Sequence, residues 1–303
     1  MRFSTIVSVV TLVWGISPRQ PSGKNIIRWL LKKRTNGSVR YCQYTSTVDK
    51  IIFGAEATLI NKIGTCWIAS IDVLRKAVFE GANIIITHEP TFYSYADLEG
   101  DVLEFSWARK IMDYTRGELS YLKIIEQKKE FLHKNNLVII RCHDVMDREP
   151  TFGMSKALAQ QLELDVTNIV ASDDMYHVYA IEPDSAINIT KRFAKNLKIY
   201  NLPGIQFYGD RARIVRTIGI GAGCFCDPIQ YMEYQADYYI TINDSIKTWV
   251  QTQYSKDSGL PMAVIGYSVA EEAGMRRLAS YLDLHSGYPC IHFTGGCDYD
   301  WIE

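Results

Sequence analysis

The sequence predicts an α/β protein: two α/β lobes with mostly parallel or mixed sheets flanked by helices. Three observations carry this. Short, nearly continuous apolar runs recur, such as "NIIIT" (83–87) and "NLVIIRC" (136–142). Amphipathic stretches separate them, and the second half of the chain repeats the alternation. Strands read as unbroken apolar runs when helices cover both faces of a sheet.

In chain order, "KNIIRWLLKK" (24–33) reads as a short amphipathic helix and the polar stretch 34–47 as a connector. "KIIFG" and "IGTCWIA" are strand-like. A helix is expected over 70–80, with Ser70 as its cap, Asp72 in its first turn, Ile71, Leu74 and Val78 on one face, and Gly81 to end it. "NIIIT" is the next strand, 104–133 is mostly helical with an interruption near Gly117, "NLVIIRC" is a strand and 154–163 a helix.

The second half continues with "MYHVYAIE", a helix near 185–196, "IVRTIGIG", and a helix starting at Asp227–Pro228. "YYITI", a helix, "MAVIG", a helix over 268–282 and "PCIHF" complete it. Residues 23–170 and 261–303 are assigned to the first lobe and 171–260 to the second.

The chain has 303 residues, 47% hydrophobic, with 33 basic and 34 acidic side chains and a formal charge of −1. That suffices for a full core and recommends neither nucleic acid nor an acidic membrane surface as a partner. The opening "MRFSTIVSVVTLVWGIS" is too short an apolar run to span a bilayer and fits the core of a secretory signal. Residues 1–22 are therefore either a signal peptide, with a secreted or periplasmic protein, or a disordered start to a cytoplasmic one. Seven cysteines without a CxxC pair form no disulfide framework, and Cys66 and Cys142 read as small core residues.

Ligand sites in open α/β sheets gather beyond the carboxyl ends of strands, and three such loops carry candidates. After "NIIIT" come His88, Glu89 and Pro90; Pro90 removes a donor and stops the strand with two metal-competent side chains at its end. The alternative is a strand-terminal histidine bonded to backbone beside a surface glutamate. After "NLVIIRC", the loop "CHDVMD" groups His143, Asp144 and Asp147, a set suited to a hard or zinc-like cation, although Asp144 or Asp147 can also cap the next helix. In "GYSVAEEAGM", Ser268-x-x-Glu271 matches a capping box. Against that, Glu271, Met275, Leu278 and Leu282 share one otherwise apolar face, so Glu271 points to the core and needs a partner, for which a cation is well suited.

"GIGAGC" (219–224), between a strand and the helix expected at Asp227, can cradle a phosphate if Asp244 takes a ribose, but Cys224 stands where a dinucleotide fingerprint needs its third glycine. His133, His177, His285 and His292 have no neighbours that recommend them and read as structural or surface residues.

Together, "ANIIITHEP", "CHDVMD" and "GYSVAEEAGM", with "SIDVLRKAVFEGANIIITHEPTFY", resemble the dinuclear-metal-centre hexameric proteins. That family is also known as GTP cyclohydrolase I type 2 homologues or Ngg-one-interacting-factor-three-like proteins. The likeness runs from about residue 21 onward. It implies two metal ions between the lobes, held by two adjacent histidines, an aspartate, and a later histidine and glutamate. His88 matches the first histidine, Asp147 the aspartate and Glu271 the glutamate. Glu89 stands for the second histidine, and Tyr267 stands where the later histidine is expected. A carboxylate still ligates, whereas a neutral phenol is a poor ligand.

The expectation is a divalent ion (zinc, iron, manganese or similar), one or two per chain, held by His88, Glu89, Asp147 and Glu271. The second ion is expected to be weak or absent. Such a centre suits a metal-dependent hydrolase acting on a small molecule, with Glu89 or Asp144 as general base. The alternative is a non-catalytic metal-binding scaffold or regulatory protein. The resemblance also implies a homo-oligomer, a hexamer.

Overall fold

A computed structural model describes residues 48–93, 95, 119–173, 175–223, 225–246 and 249–302. Residues 1–22, the helix expected over 24–33, the connector, Cys42, Cys224 and the part of the expected 104–133 helix before 119 lie outside the described residues.

The first half runs β1 (Lys50–Phe53), β2 (Ile63–Cys66), α1 (Ile71–Phe79), β3 (Ile84–Thr87), α2 (Leu119–Lys134), β4 (Val138–Arg141), α3 (Asp144–Arg148) and α4 (Met154–Gln161). The second runs β5 (Ile169–Ser172), β6 (Tyr176–Ser185), α5 (Ala186–Leu197), β7 (Gln206–Tyr208), β8 (Ile214–Gly221), β9 (Tyr238–Ile242), α6 (Trp249–Ser258), β10 (Met262–Ile265), α7 (Tyr267–His285) and β11 (Cys290–His292).

These strands form two sheets, ordered β1-β4-β3-β2-β11 and β5-β6-β8-β9-β10-β7. In the first, β4, β3, β2 and β11 are mutually parallel and only the edge strand β1 is antiparallel. Every residue of β2, β3 and β4 is buried, as their apolar runs require. The second sheet is mixed, with β8, β9 and β10 parallel and antiparallel strands at either side.

Local signals account for much of this. Ser70 caps α1 by accepting from the Val73 amide at 3.2 Å, and Gly81, at φ +75°, turns the chain out of the helix. The glycine takes a left-handed conformation that a side chain would strain.

Helix α7 joins the two cores. Val269 and Ala270 in its first turn pack with Ile218, Ile220 and Ile240 of the second sheet. Met275, Leu278 and Leu282 further along pack with Ile63, Ile84 and Ile86 of the first. Each such buried side chain contributes roughly 1.5–3 kcal/mol. Glu271 lies between the two groups, so the seam between the cores carries a carboxylate.

One expected element differs. No α-helix begins at Asp227; the chain makes turns and a short 3₁₀ segment, Met232–Tyr234. Asp227 caps a turn by accepting from the Ile229 amide at 2.9 Å. The Tyr231 ring then stacks face to face on Tyr176, with centroids 4.0 Å apart, and Tyr234 joins the same stack. Aromatic packing onto the sheet overrides the local helix signal.

Candidate metal centre

Strands β2, β3 and β4 end level with one another, with Cys66 opposite Thr87 and Thr87 opposite Arg141. The residues just beyond them, Trp67, His88 and His143, are thus brought together. The His88 amide donates to the carbonyls of Cys66 and Trp67, at 3.2 and 3.0 Å, and the Glu89 amide to Trp67 at 2.8 Å. These bonds fix the direction in which the end of β3 presents its side chains.

The His88 ring is fully buried, and its Nδ1 lies 3.3 Å from the Cys142 carbonyl oxygen. Its Nε2 lies 3.2 Å from Glu271 Oε2 and 3.6 Å from Asp147 Oδ1. The His143 ring stacks on it, with centroids 4.5 Å apart and planes 10° from parallel. His143 Nδ1 sits 3.2 Å from Asp144 Oδ1 and 3.3 Å from Asp147 Oδ2. Two sets of ligand atoms result, each within 4.8 Å of one another: His88 with His143 and Asp147, and His88 with Glu89 and Glu271. His88 belongs to both.

Three atoms here are buried without a hydrogen bond: His88 Nε2, Asp147 Oδ1 and Glu271 Oε1. Stranding one buried polar atom costs about 1–3 kcal/mol, and three such atoms on neighbouring residues of one buried cluster suit an ion. The electrostatics agree. Burial opposes charge on His88, yet Glu271 and Asp147 lift its pKa to about 9. Burial likewise opposes charge on His143, and Asp147 and Asp144 lift it to about 10. Burial raises Asp147 to about 6 against the pull of both imidazoles. The pocket therefore favours positive charge, which protons supply when no cation does. Buried His, Asp and Glu groups of this kind can hold a metal ion, and the mixed nitrogen–oxygen set fits zinc, iron or manganese.

The side towards solvent is differently arranged. Trp67 Nε1 donates to Glu271 Oε2 at 2.8 Å, and the Tyr267 hydroxyl donates to Glu89 Oε1 at 2.8 Å. Glu89, Trp67 and Tyr267 are half-buried, so this face is open. Gly223, in the turn after β8, comes so close that a Cβ there would stand 2.9 Å from Glu271 Oε1. The glycine turn read from "GIGAGC" thus borders Glu271, and among the described residues no α-helix follows it directly to present amides to a phosphate. Asp244 is exposed in the turn after β9.

His88 lies within 4 Å of both Asp147 and Glu271, and Glu89 belongs to one of the two candidate ligand groups. The capping-box reading of Glu271 fails: α7 starts at Tyr267, whose amide donates to Asn243 Oδ1 at 2.9 Å, and Ser268 Oγ makes no hydrogen bond. Asp144 is held on both carboxylate oxygens. Its Oδ2 accepts from the Val48 amide at 3.3 Å, and its Oδ1 lies 3.2 Å from His143 Nδ1. His143, grouped with Asp144 and Asp147 in the sequence but not among the four expected ligands, joins His88 and Asp147 here, and its four-residue spacing to Asp147 sets both on one helical turn. Trp67 carried no signal readable before folding, and Gly223 was marked only as part of a glycine-rich turn. Of the histidines set aside, His177 meets Ser155 Oγ at 3.0 Å and His292 meets Glu272 at 2.5 Å, both structural contacts.

Two sheets flanked by helices, joined by a helix that carries an inward carboxylate to a buried pair of histidines, define an α/β protein with a metal-competent seam. Residues 117–290 match the Duf34/NIF3 (NGG1p interacting factor 3) family, and the chain belongs to that family. The matched span includes His143, Asp147, Tyr267 and Glu271, while His88 and Glu89 precede it.

A "GTP cyclohydrolase 1 type 2 homolog" of Chlamydia trachomatis is 21% identical over 232 residues, covering 76% of this chain and 82% of the relative. The fold is shared with a Staphylococcus aureus hypothetical protein (TM-score 0.68, 15% identity, 93% of this chain and 100% of that one). It is also shared with a Bacillus cereus protein related to NIF3 (TM-score 0.67, 14% identity, 94% and 100%). Among the described residues no helix is long and apolar enough to cross a membrane.

Proposed function

We propose that the protein binds one divalent transition-metal ion through His88, His143, Asp147 and Glu271 and works as a metal-dependent hydrolase on a small molecule. The observation that carries this is the buried cluster in which His88 Nε2 lies 3.2 Å from Glu271 Oε2 and 3.6 Å from Asp147 Oδ1, while His88 Nε2, Asp147 Oδ1 and Glu271 Oε1 make no hydrogen bond. A divalent cation in such a site acidifies water and polarises phosphoryl or carbonyl oxygens.

The chain's own groups supply the rest. Glu89 is held in place by the Tyr267 hydroxyl, faces the open side, and keeps a second carboxylate oxygen to take a proton from an attacking water. Trp67 fixes one oxygen of Glu271 through its indole N–H, which leaves the other for a ligand role. His143 is oriented by Asp144. Assembly as a homo-oligomer is part of this reading and rests on the family resemblance alone.

The second ion of a dinuclear centre fits poorly. Glu89 Oε1 accepts from the Tyr267 phenol, and that phenol stands where an imidazole ligand is expected. This favours a second reading, in which a single ion serves to brace the seam without catalysis. Chelation separates the two. Metal-dependent hydrolysis of generic phosphoester or amide substrates that chelation abolishes supports the enzyme. A fall in melting temperature alone supports the brace. A purified protein that takes up no zinc, iron or manganese defeats both.

A further inference from the structure

The loop that presents His143 and Asp147 does not hold itself. Helix α3 is five residues long, far too short to be stable alone, and its first amides have no carbonyl partners within the helix. A carboxylate from distant sequence meets them. Asp49 Oδ1 accepts from the amides of His143 at 2.5 Å and Asp144 at 3.0 Å, and its Oδ2 accepts from the amide of Val145 at 3.0 Å. Such bonds to a carboxylate are about twice as strong as neutral ones.

The clasp is reciprocal. Asp144 Oδ2 accepts from the Val48 amide at 3.3 Å, and Arg141 Nε donates to the Val48 carbonyl at 2.7 Å. The β1–β4 register, with Lys50 opposite Arg141, sets Asp49 beside the chain just past β4. Asp49 is buried, and none of its atoms belongs to either ligand set.

We propose that Asp49 is a positioning residue of the metal centre: through three backbone amides it sets the separation and direction of His143 and Asp147, and hence the affinity and geometry of the ion. The reasoning is mechanical. Asp147 follows His143 by one turn, its amide donating to the His143 carbonyl at 3.1 Å, so fixing residues 143–145 fixes both ligands together. A helix start released by 1 Å would no longer bring them onto one ion with His88, and outer-shell changes of this kind cost about 10–100-fold in affinity. This rests on the metal-binding reading above.

The test is Co²⁺ binding to the full chain, followed by visible absorption and by competition with a chelator, for wild type, Asp49→Ala, Asp49→Asn and His88→Ala. Circular dichroism of each ion-free protein is recorded alongside. The expected result is a roughly 10–100-fold weaker Co²⁺ affinity for Asp49→Ala with unchanged secondary structure. Asp49→Asn, which keeps one acceptor oxygen, should show a smaller loss and an altered Co²⁺ spectrum. A folded Asp49→Ala protein with wild-type affinity and spectrum overturns the inference. If Asp49→Ala does not fold, wild-type affinity and spectrum for Asp49→Asn overturn it instead. A wild type that binds no better than His88→Ala is a separate result: it sinks the metal reading itself, and this inference with it.

Discussion

The imidazole of His88 and the carbonyl of Cys142 meet at 3.3 Å through Nδ1. A carbonyl only accepts, so in the neutral ring Nδ1 carries the proton and Nε2 turns its lone pair towards Asp147 and Glu271. A backbone carbonyl thereby sets the tautomer that a metal ligand needs. His88→Ala is accordingly expected to abolish tight metal uptake while leaving the fold intact, as read by elemental analysis and circular dichroism. Retention of a full equivalent of metal would count against the site.

Tyr267 holds Glu89 and stands at a ligand position without being a good ligand. Tyr267→His is expected to raise metal content from about one towards two equivalents, because the new imidazole joins Glu89 and Glu271. Tyr267→Phe should leave stoichiometry near one and lower hydrolysis, since Glu89 loses its tether. Equivalents counted by elemental analysis decide it; a wild type already holding two contradicts the single-ion reading.

Metal affinity should rise with pH. In the ion-free protein His88 and His143 keep their protons up to about 9 and about 10, so at pH 7 each must release one before binding. Calorimetry in buffers of different ionisation enthalpy should detect this release, which fades as pH passes 9–10. The ion-free stability runs the other way. Both imidazoles have pKa values above the unfolded value of about 6.5, and Asp147, at about 6, lies above its own of about 3.9. Their stabilisation is full at low pH and is lost as pH rises through about 6 for Asp147, then about 9 and about 10 for the histidines. Chelated protein should therefore melt at lower temperature at pH 10 than at pH 7, and the metal-loaded protein should not follow it.

Gly223 has φ +48°, and its absent side chain leaves room for Glu271 and the Tyr267 hydroxyl, which a Cβ would meet at 2.9 and 3.2 Å. Gly223→Ala is expected to cost about 1–2 kcal/mol of stability and to weaken metal binding by displacing Glu271. Gly204→Ala, where an added methyl meets nothing within 4 Å, is the control and should change neither. Urea denaturation and metal titration of both variants check this.

Glu272, adjacent to the ligand, faces away from it into another network. Its Oε1 accepts from the Gly295 and Gly296 amides at 2.6 and 3.0 Å, and its Oε2 meets His292 Nε2 at 2.5 Å. The other ring nitrogen of His292 meets Thr65 Oγ1 at 3.0 Å, tying β11 and the following loop to α7. Glu272→Ala strands a buried histidine and two amides, and is expected to destabilise by roughly 3–5 kcal/mol in urea denaturation. A loss under 1 kcal/mol would mean that the C-terminal segment is held by something else.

Much of the fold could be read from short runs. β8 and β9 coincide with "IVRTIGIG" and "YYITI", because apolar residues in a doubly covered strand carry their own signature. The short strands Ile169–Ser172 and Gln206–Tyr208 had none, since they lie at the sheet edges with partly exposed residues. The helix expected at Asp227 had a good start signal and lost to the Tyr176–Tyr231 stack. In the site, Glu271 was legible through its spacing with Met275, Leu278 and Leu282, all buried on one face. His143 had the right spacing too, but nothing local ranked it above its neighbours.

By itself, the sequence determined which side chains end the parallel strands, which carboxylate α7 turns inward, and which family the chain resembles. These follow from periodicity, capping and loop motifs, which are properties of neighbouring residues. Only the tertiary structure decided that Asp49 accepts from the amides of a loop 94 residues away, that Asp144 faces His143, and that Gly223 borders the Glu271 carboxylate. Those facts depend on strand register and on how two cores share one helix, and no local pattern encodes a contact between segments that meet only once the chain has folded.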